Sequence, residues 1–393
     1  MPSSVPELNP PPRLLLGPGP SQVHPRVLRA MSAPLVGHLD PYFLQIMEET
    51  KGLLRTVFGT KNELTIPISG TGSAGMEACL VNVLEPGDEV IVGVNGVFGT
   101  RMAEVAERAS ARVARVEAPW GKVIRAEQVE AALKNAKAPK LVAVVHAETS
   151  TGAWQPLEDI AKLAHEHGAL MLADCVTSLG GVAVDVDGVG VDLAYSGTQK
   201  CLSCPPGLSP VTFGERAVEA LRARKTKVQS WYLDLTLLSQ YWGEERVYHH
   251  TAPITMNYAL REALRIVDDE GLPARYERHL LHHRALVAGL EALGLSIASE
   301  AGHQLPMLNA VTVPDGVSEE SVRGRLLKEH GVEIGPGLGP MKGKVWRIGL
   351  MGESARRASV LSVLSALEDA LRAEGRKVDP GVALSAAAGV YAA

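Results

Sequence analysis

Aromatic residues make up only 4% of this 393-residue chain, and no stretch interleaves them with lysine and arginine. Nucleic-acid binding draws on basic patches and stacking platforms, so that class of partner is not expected. A net charge of −5 likewise offers little to an anionic membrane. Apolar runs are short, and none approaches the roughly 20 residues that span a bilayer. The proline-rich start lacks the charged and apolar regions of a secretory signal, and the chain ends Val390-Tyr391-Ala392-Ala393 rather than in a peroxisomal Ser-Lys-Leu. The expectation is a cytoplasmic protein with a small-molecule ligand. Four cysteines are too few for a disulfide framework at this length. Cys201-Leu202-Ser203-Cys204 has the spacing of half a zinc site but no second pair follows it, so small apolar packing is the better reading and no metal is expected.

What is present is a large apolar content, 46%, in a chain longer than one usual domain. Two domains are the default. Residues 1–22 hold Pro10-Pro11-Pro12 and Gly17-Pro18-Gly19-Pro20, which read as an extended arm of the kind that lies on a partner subunit. From about 60 to 215, seven short apolar runs alternate with helix-like segments: Leu64 to Ser69, Glu89 to Val94, Val113 to Val116, Leu141 to His146, Ala169 to Ala173, Leu193 to Ser196 and Pro210 to Phe213. This is the rhythm of an α/β fold with a mainly parallel seven-stranded sheet. A large domain over 23–270 and a smaller α+β domain over 271–393 follow. The latter has strands at Asn309 to Val313, Val332 to Ile334 and Val345 to Gly349, and a mobile tail from about 380.

Chemistry-bearing residues cluster at the ends of those runs. Asp174 closes a strand too apolar to leave a carboxylate without a partner, and the protonated nitrogen of a pyridine cofactor would serve, as would water or an arginine. Lys200 ends Ser196-Gly197-Thr198-Gln199-Lys200, after another strand, where small residues let a bulky ligand approach. Gly70-Thr71-Gly72-Ser73-Ala74-Gly75 lies between a strand and a helix start, a cradle for an anion. Its spacing also matches the G-x-G-x-x-G of a dinucleotide site, which makes a nicotinamide-dependent oxidoreductase the alternative of a different class. That fingerprint wants an acidic residue after the next strand, and Asn95-Gly96 stands there, so a single phosphate is favoured. Arg347, in an apolar strand, suits bidentate capture of a carboxylate. His165, His167, His279, His282 and His283 read as solvated helix faces, while Tyr248-His249-His250-Thr251 is irregular and could be packing.

Several separate motifs together resemble the class V aminotransferases, fold-type I pyridoxal-phosphate enzymes, and most closely their alanine–glyoxylate (serine–pyruvate) members. They are Leu15-Leu16-Gly17-Pro18-Gly19-Pro20-Ser21, Val81 to Asp88, Glu148-Thr149-Ser150-Thr151-Gly152, Ser178-Leu179-Gly180-Gly181, Tyr248-His249-His250-Thr251 and Arg347-Ile348-Gly349-Leu350. The resemblance runs from Leu14 to about Leu371. It implies pyridoxal 5'-phosphate as cofactor, with Lys200 as the Schiff-base lysine and Asp174 on the pyridinium nitrogen. It places Thr71, Gly72, Ser73 and Gln199 around the phosphate, with Tyr248 and Thr251 reaching over from the other subunit of a homodimer. Phe98 takes the ring-stacking position, where well-known members carry tryptophan. Thr149 falls near the ring hydroxyl, Val176 under the ring, and Arg347 on the substrate carboxylate. The implied activity is ping-pong transamination of L-alanine with glyoxylate to pyruvate and glycine, with serine or ureidoglycine as alternative donors. Cysteine desulfurases share the fold but need a cysteine in the small domain, and none follows Cys204.

Overall fold

The computed structural model describes residues 5–393; Met1 to Ser4 of the expected arm lie outside the described residues. Seven strands form one sheet, ordered in space Leu64–Ser69, Leu208–Phe213, Leu193–Tyr195, Leu170–Asp174, Pro139–Val145, Glu89–Val94 and Arg112–Glu117. Six run in the same direction, and Leu208–Phe213 is antiparallel to both of its neighbours. Helices cover both faces, so successive residues of a strand enter opposite cores: Leu170 and Leu172 join one apolar cluster, Met171 and Ala173 the other. That two-sided burial is why these strands read as unbroken apolar runs.

Local chemistry sets the helix boundaries. Helix Pro41–Phe58 starts where Asp40 accepts the Tyr42 amide (2.8 Å) with proline in the first turn, and stops at Gly59 in the left-handed region (φ 65°). No helix among the described residues is long and apolar enough to cross a membrane.

A three-stranded antiparallel sheet, Leu308–Thr312, Val345–Gly349 and Gly335–Pro336, packs with helices Leu272–Ala292, Glu319–His330, Arg357–Ala373 and Val382–Ala392 around a separate apolar cluster centred on Trp346. The run expected as one strand at Val332 to Ile334 is divided. Val332–Glu333 pairs with Leu14–Leu15, and Gly335–Pro336 pairs with Val345–Gly349. The arm therefore joins its own chain from Leu14 onward, with Leu16 fully buried.

Two expectations are corrected. The tail from 380 is the helix Val382–Ala392, because its alanines are small enough to pack closely: Ala383 and Ala387 are buried, and Glu368 accepts the Gly381 and Ala383 amides (2.9 and 2.8 Å) at its start. His279, His282 and His283 are buried rather than solvated, because their helix is covered on several sides. His282 Nδ1 meets the Tyr391 hydroxyl (2.8 Å), and His283 Nδ1 meets Asn309 Oδ1 (2.8 Å). If the last helix is part of the core, Ala387→Asp buries an unpaired carboxylate. It should cost about 3 kcal/mol and lower the thermal midpoint by several degrees, checked by scanning calorimetry.

Candidate active site

The seven-stranded sheet delivers its chemistry at the carboxyl ends of adjacent strands, where open α/β sheets bind ligands. Asp174 is the last residue of its strand, and the parallel register sets it opposite Tyr195. Paired residues of neighbouring strands share a face, so the Tyr195 hydroxyl donates to Asp174 Oδ2 (2.6 Å), while the Val176 amide donates to Oδ1 (2.9 Å). Asp174 is only 2% exposed. Burial pushes its carboxyl up to about 6, against the opposing pull of the Tyr195 and Val176 hydrogen bonds.

Lys200 lies in the turn after the strand Leu193–Tyr195, and only 8% of it is exposed. Its ammonium donates to the Pro18 carbonyl, so the arm closes over it. Ser21 fastens that closure: its amide donates to Gln199 O (2.9 Å) and its hydroxyl to Lys200 O (2.7 Å). Burial, followed by the charge of Arg347, lowers Lys200 to about 8, close to the range in which an amine can take or give a proton near neutrality.

Arg347 sits mid-strand in Val345–Gly349 and is buried, not surface-exposed as an isolated strand arginine would be. Nε donates to Pro336 O (2.7 Å) and Nη1 to Thr149 O (3.1 Å). Burial lowers its guanidinium to about 10, opposed by the nearby Glu148.

Glu148 opens the motif Glu148 to Gly152, and its role comes from the folded structure. Fully buried, it accepts from the Phe98 and Gly99 amides (3.1 and 3.4 Å) at the start of helix Val97–Arg108, and from the Ser150 amide and hydroxyl (3.0 and 2.5 Å). Burial raises its carboxyl, and these four donors work against that. Glu148 thereby fixes the backbone of Phe98, whose ring is half-buried with the Arg101 guanidinium 5.1 Å from its centroid. An acid inside an otherwise small and hydroxylic motif was the available signal. Tyr195 gives no such signal, because a tyrosine in an apolar strand looks like core.

The glycine turn lies between strand Leu64–Ser69 and a helix start. Thr71 is extended (φ −77°, ψ 176°) with no side-chain cap, and helix Gly72–Val83 starts immediately after it. A Cβ on Gly72 would lie 3.2 Å from Val176 Cγ2 and 3.6 Å from Gly197 Cα, so three strand ends converge on this turn. Ser69 is held from outside the turn, its hydroxyl to His250 Nε2 (2.7 Å) and its carbonyl by the Tyr232 hydroxyl (3.3 Å). Asn95, where the dinucleotide reading needs an acid, spends its amide on Lys122 O (2.8 Å).

Thr149 meets Thr177 hydroxyl to hydroxyl (2.6 Å), and Val176 is half-buried beside Asp174. Tyr248 and Thr251 are not drawn into this group: both are exposed, with Tyr248 tilted against the His38 ring (5.3 Å between centroids). Cys201 and Cys204 are buried free thiols, and burial pushes Cys201 up to about 11.

These residues fit pyridoxal phosphate. Gln199 Oε1 is buried without a partner, the close approach at Gly72 leaves backbone rather than side chain facing the cradle, and a buried carboxylate and a depressed amine stand at neighbouring strand ends. Removing the Tyr195 hydroxyl withdraws a donor that favours the carboxylate, so Asp174 should titrate higher still. In Tyr195→Phe the protonated carboxyl band, read by infrared difference spectroscopy against Asp174→Asn, should persist to a pH above about 6.

Comparisons with known proteins show the family. The family model Aminotransferase class-V matches residues 13–366. The chain is 44% identical to the (S)-ureidoglycine–glyoxylate transaminase of Bacillus subtilis, covering 98% of this chain and 97% of that one. It is 42% identical to the alanine–glyoxylate aminotransferase of Mus musculus, covering 93% and 89%. The crystal structure of the alanine–glyoxylate aminotransferase of Nostoc sp. superposes with a TM-score of 0.93 at 53% identity, over 94% of this chain and 98% of that one. The chain belongs to the class V aminotransferases.

Proposed function

We propose that the protein transfers the amino group of L-alanine to glyoxylate, giving pyruvate and glycine, with pyridoxal phosphate as cofactor. The observation that carries this is the convergence of a buried carboxylate, a buried amine of lowered pKa and a buried guanidinium beside a helix-start cradle. The high identity to the Nostoc alanine–glyoxylate enzyme favours alanine, while the near full-length likeness to the Bacillus subtilis protein keeps ureidoglycine as the second donor to test.

When bound, the cofactor supplies an electron sink for the pair left by a broken Cα–H bond. The remaining requirements fall on the chain. Asp174, as carboxylate, would hold the proton on the ring nitrogen, and Tyr195 keeps it oriented. Lys200, lysine of attachment and then free amine, would carry the α-proton. Arg347 would clamp the substrate carboxylate with its guanidinium. Thr71, Gly72, Ser73 and Gln199 would receive the phosphate, Phe98 would stack on the ring, Val176 would pack beneath it, and Thr149 would face the ring hydroxyl. The arm through Pro18 covers Lys200 and would help exclude water.

The same reading includes a homodimer, with Tyr248 and Thr251 completing the partner's phosphate site. Its support is the exposure of Trp231, Tyr232, Val247 and Tyr248 on the two segments flanking helix Leu235–Trp242, which meet where the Trp231 and His249 rings stack; an isolated subunit leaves this apolar area in water. It also keeps the division into an arm to residue 22, a cofactor domain over 23–270 and a smaller domain from 271, supported by the separate apolar cluster around Trp346.

The visible absorbance of cofactor-loaded protein should bleach with L-alanine and return with glyoxylate; bleaching only with ureidoglycine would move the assignment to that donor. Lys200→Ala should lose turnover by at least about a hundredfold, since it removes the proton carrier as well as the attachment point. Arg347→Gln gives up a charge-assisted contact of about 1.5–3 kcal/mol, which corresponds to a rise in KM for the amino acid of roughly 10- to 100-fold, measured by steady-state kinetics.

A further inference from the structure

Lys200 and Arg347 come from different sheets, and the loops that follow them meet. A Cβ on Gly352 (φ 51°) would collide with Ser203 Oγ and stand 2.5 Å from Cys201 O, and the Glu353 amide donates to Ser203 Oγ (2.7 Å). About one turn of helix Leu272–Ala292 reaches both loops through side chains at spacings of three and four. Arg275 donates from Nη2 to Cys201 O (2.5 Å) and from Nε to Gly180 O (2.9 Å), joining the loop after Lys200 to the turn that follows Asp174 and Val176. Arg278 Nη1 donates to Gly352 O (2.9 Å) and Ala355 O (2.6 Å). His279 Nε2 accepts the Gly352 amide (2.9 Å), which leaves Nδ1 to carry the proton and donate to Arg275 O (2.7 Å). Glu270, at the end of the preceding helix, binds both guanidinium groups, Arg275 Nη1 at 2.6 Å and Arg278 Nε at 2.5 Å.

We propose that this brace of Glu270, Arg275, Arg278 and His279 sets the distance from the Lys200 amine to the carboxylate clamp Arg347, with Arg275 as its principal positioning residue. The proposal rests on the assignment of Lys200 and Arg347 made above. The polar atoms of the four bond to backbone groups and to one another. Their guanidinium groups and imidazole hold backbone carbonyls and one amide of the two loops, and a flexible contact could not do this as firmly. Arg275 is buried with its charge answered by Glu270, so it is an expensive arrangement for packing alone, and its fork spans two carbonyls that a lysine could not reach together. A proton can pass between a substrate anchored at Arg347 and Lys200 only at near-contact distance, and a displacement near 1 Å can cost about a hundredfold.

The test uses the cofactor-loaded enzyme with L-alanine and α-deuterated L-alanine. Arg275→Lys keeps the charge beside Glu270 but not the fork; kcat should fall by about 10- to 100-fold. KM for alanine and the dissociation constant for pyridoxal phosphate, read by fluorescence titration, should each stay within about threefold. The deuterium isotope effect on kcat should rise, because proton transfer becomes more limiting. Ser203→Ala loosens the same two loops without leaving a buried charge, and it should shift the isotope effect in the same direction; it serves if Arg275→Lys does not fold. An isotope effect equal to wild type in a folded variant, with kcat tracking only the folded fraction, overturns the proposal. If instead Lys200→Ala retains turnover, the functional reading fails and not the brace alone.

Discussion

Placing two cations and two carboxylates out of water in one small volume is the constraint on which this molecule depends. Lys200, Arg347, Asp174 and Glu148 are all nearly inaccessible, and burial is the largest influence on each. An isolated charge in such surroundings would cost more than the fold could supply, so each is surrounded by fixed donors and acceptors. Asp174 has Tyr195 and an amide, Glu148 has four donors, Arg347 has two carbonyls, and Lys200 has Pro18. Much of the remaining architecture arranges these partners.

The sheet provides the first set. Parallel strands end together, so the carboxylate of one strand and the tyrosine of its neighbour meet without any loop having to fold back. The glycine turn brings backbone amides and a helix start to the same edge, with Gly72 against Val176, two residues beyond the buried carboxylate. The smaller sheet supplies the guanidinium from the opposite side. Its strand Val345–Gly349 is buried throughout, and the arm is hydrogen-bonded along its end through Leu16 and Gly349. The arm thereby belongs both to the smaller sheet and to the cover over Lys200.

The chemistry expected of the site sets opposing demands on its groups. Asp174 has to be a carboxylate where burial favours the acid, and Tyr195 shifts that balance back. Lys200 has to be capable of losing its charge, which burial and the Arg347 guanidinium both promote. His279, pushed down to about 3 by burial and then by Arg275, is a neutral connector between two loops.

Much of this was legible in the chain. Apolar runs of five or six residues bounded by turn formers locate strands buried on both faces, because period and length are local properties. Leu64–Ser69, Glu89–Val94 and Val345–Gly349 fall on the expected residues. Asp174 and Lys200 stood out because a charge after an apolar strand is locally anomalous. Tertiary structure decided the rest. Register alone places Tyr195 on Asp174, and Glu148 gains its role from a helix start some fifty residues earlier. The alanine-rich end is helix-prone by itself, and Ala383 and Ala387 are buried because remote helices offer it a surface. The histidines of Leu272–Ala292 look solvated in sequence because their covering residues, Asn309, Gly352 and Tyr391, are remote in the chain. Periodicity carries information about a segment's own neighbours; burial and hydrogen-bond partners are set by segments far away, and only the folded arrangement brings them together.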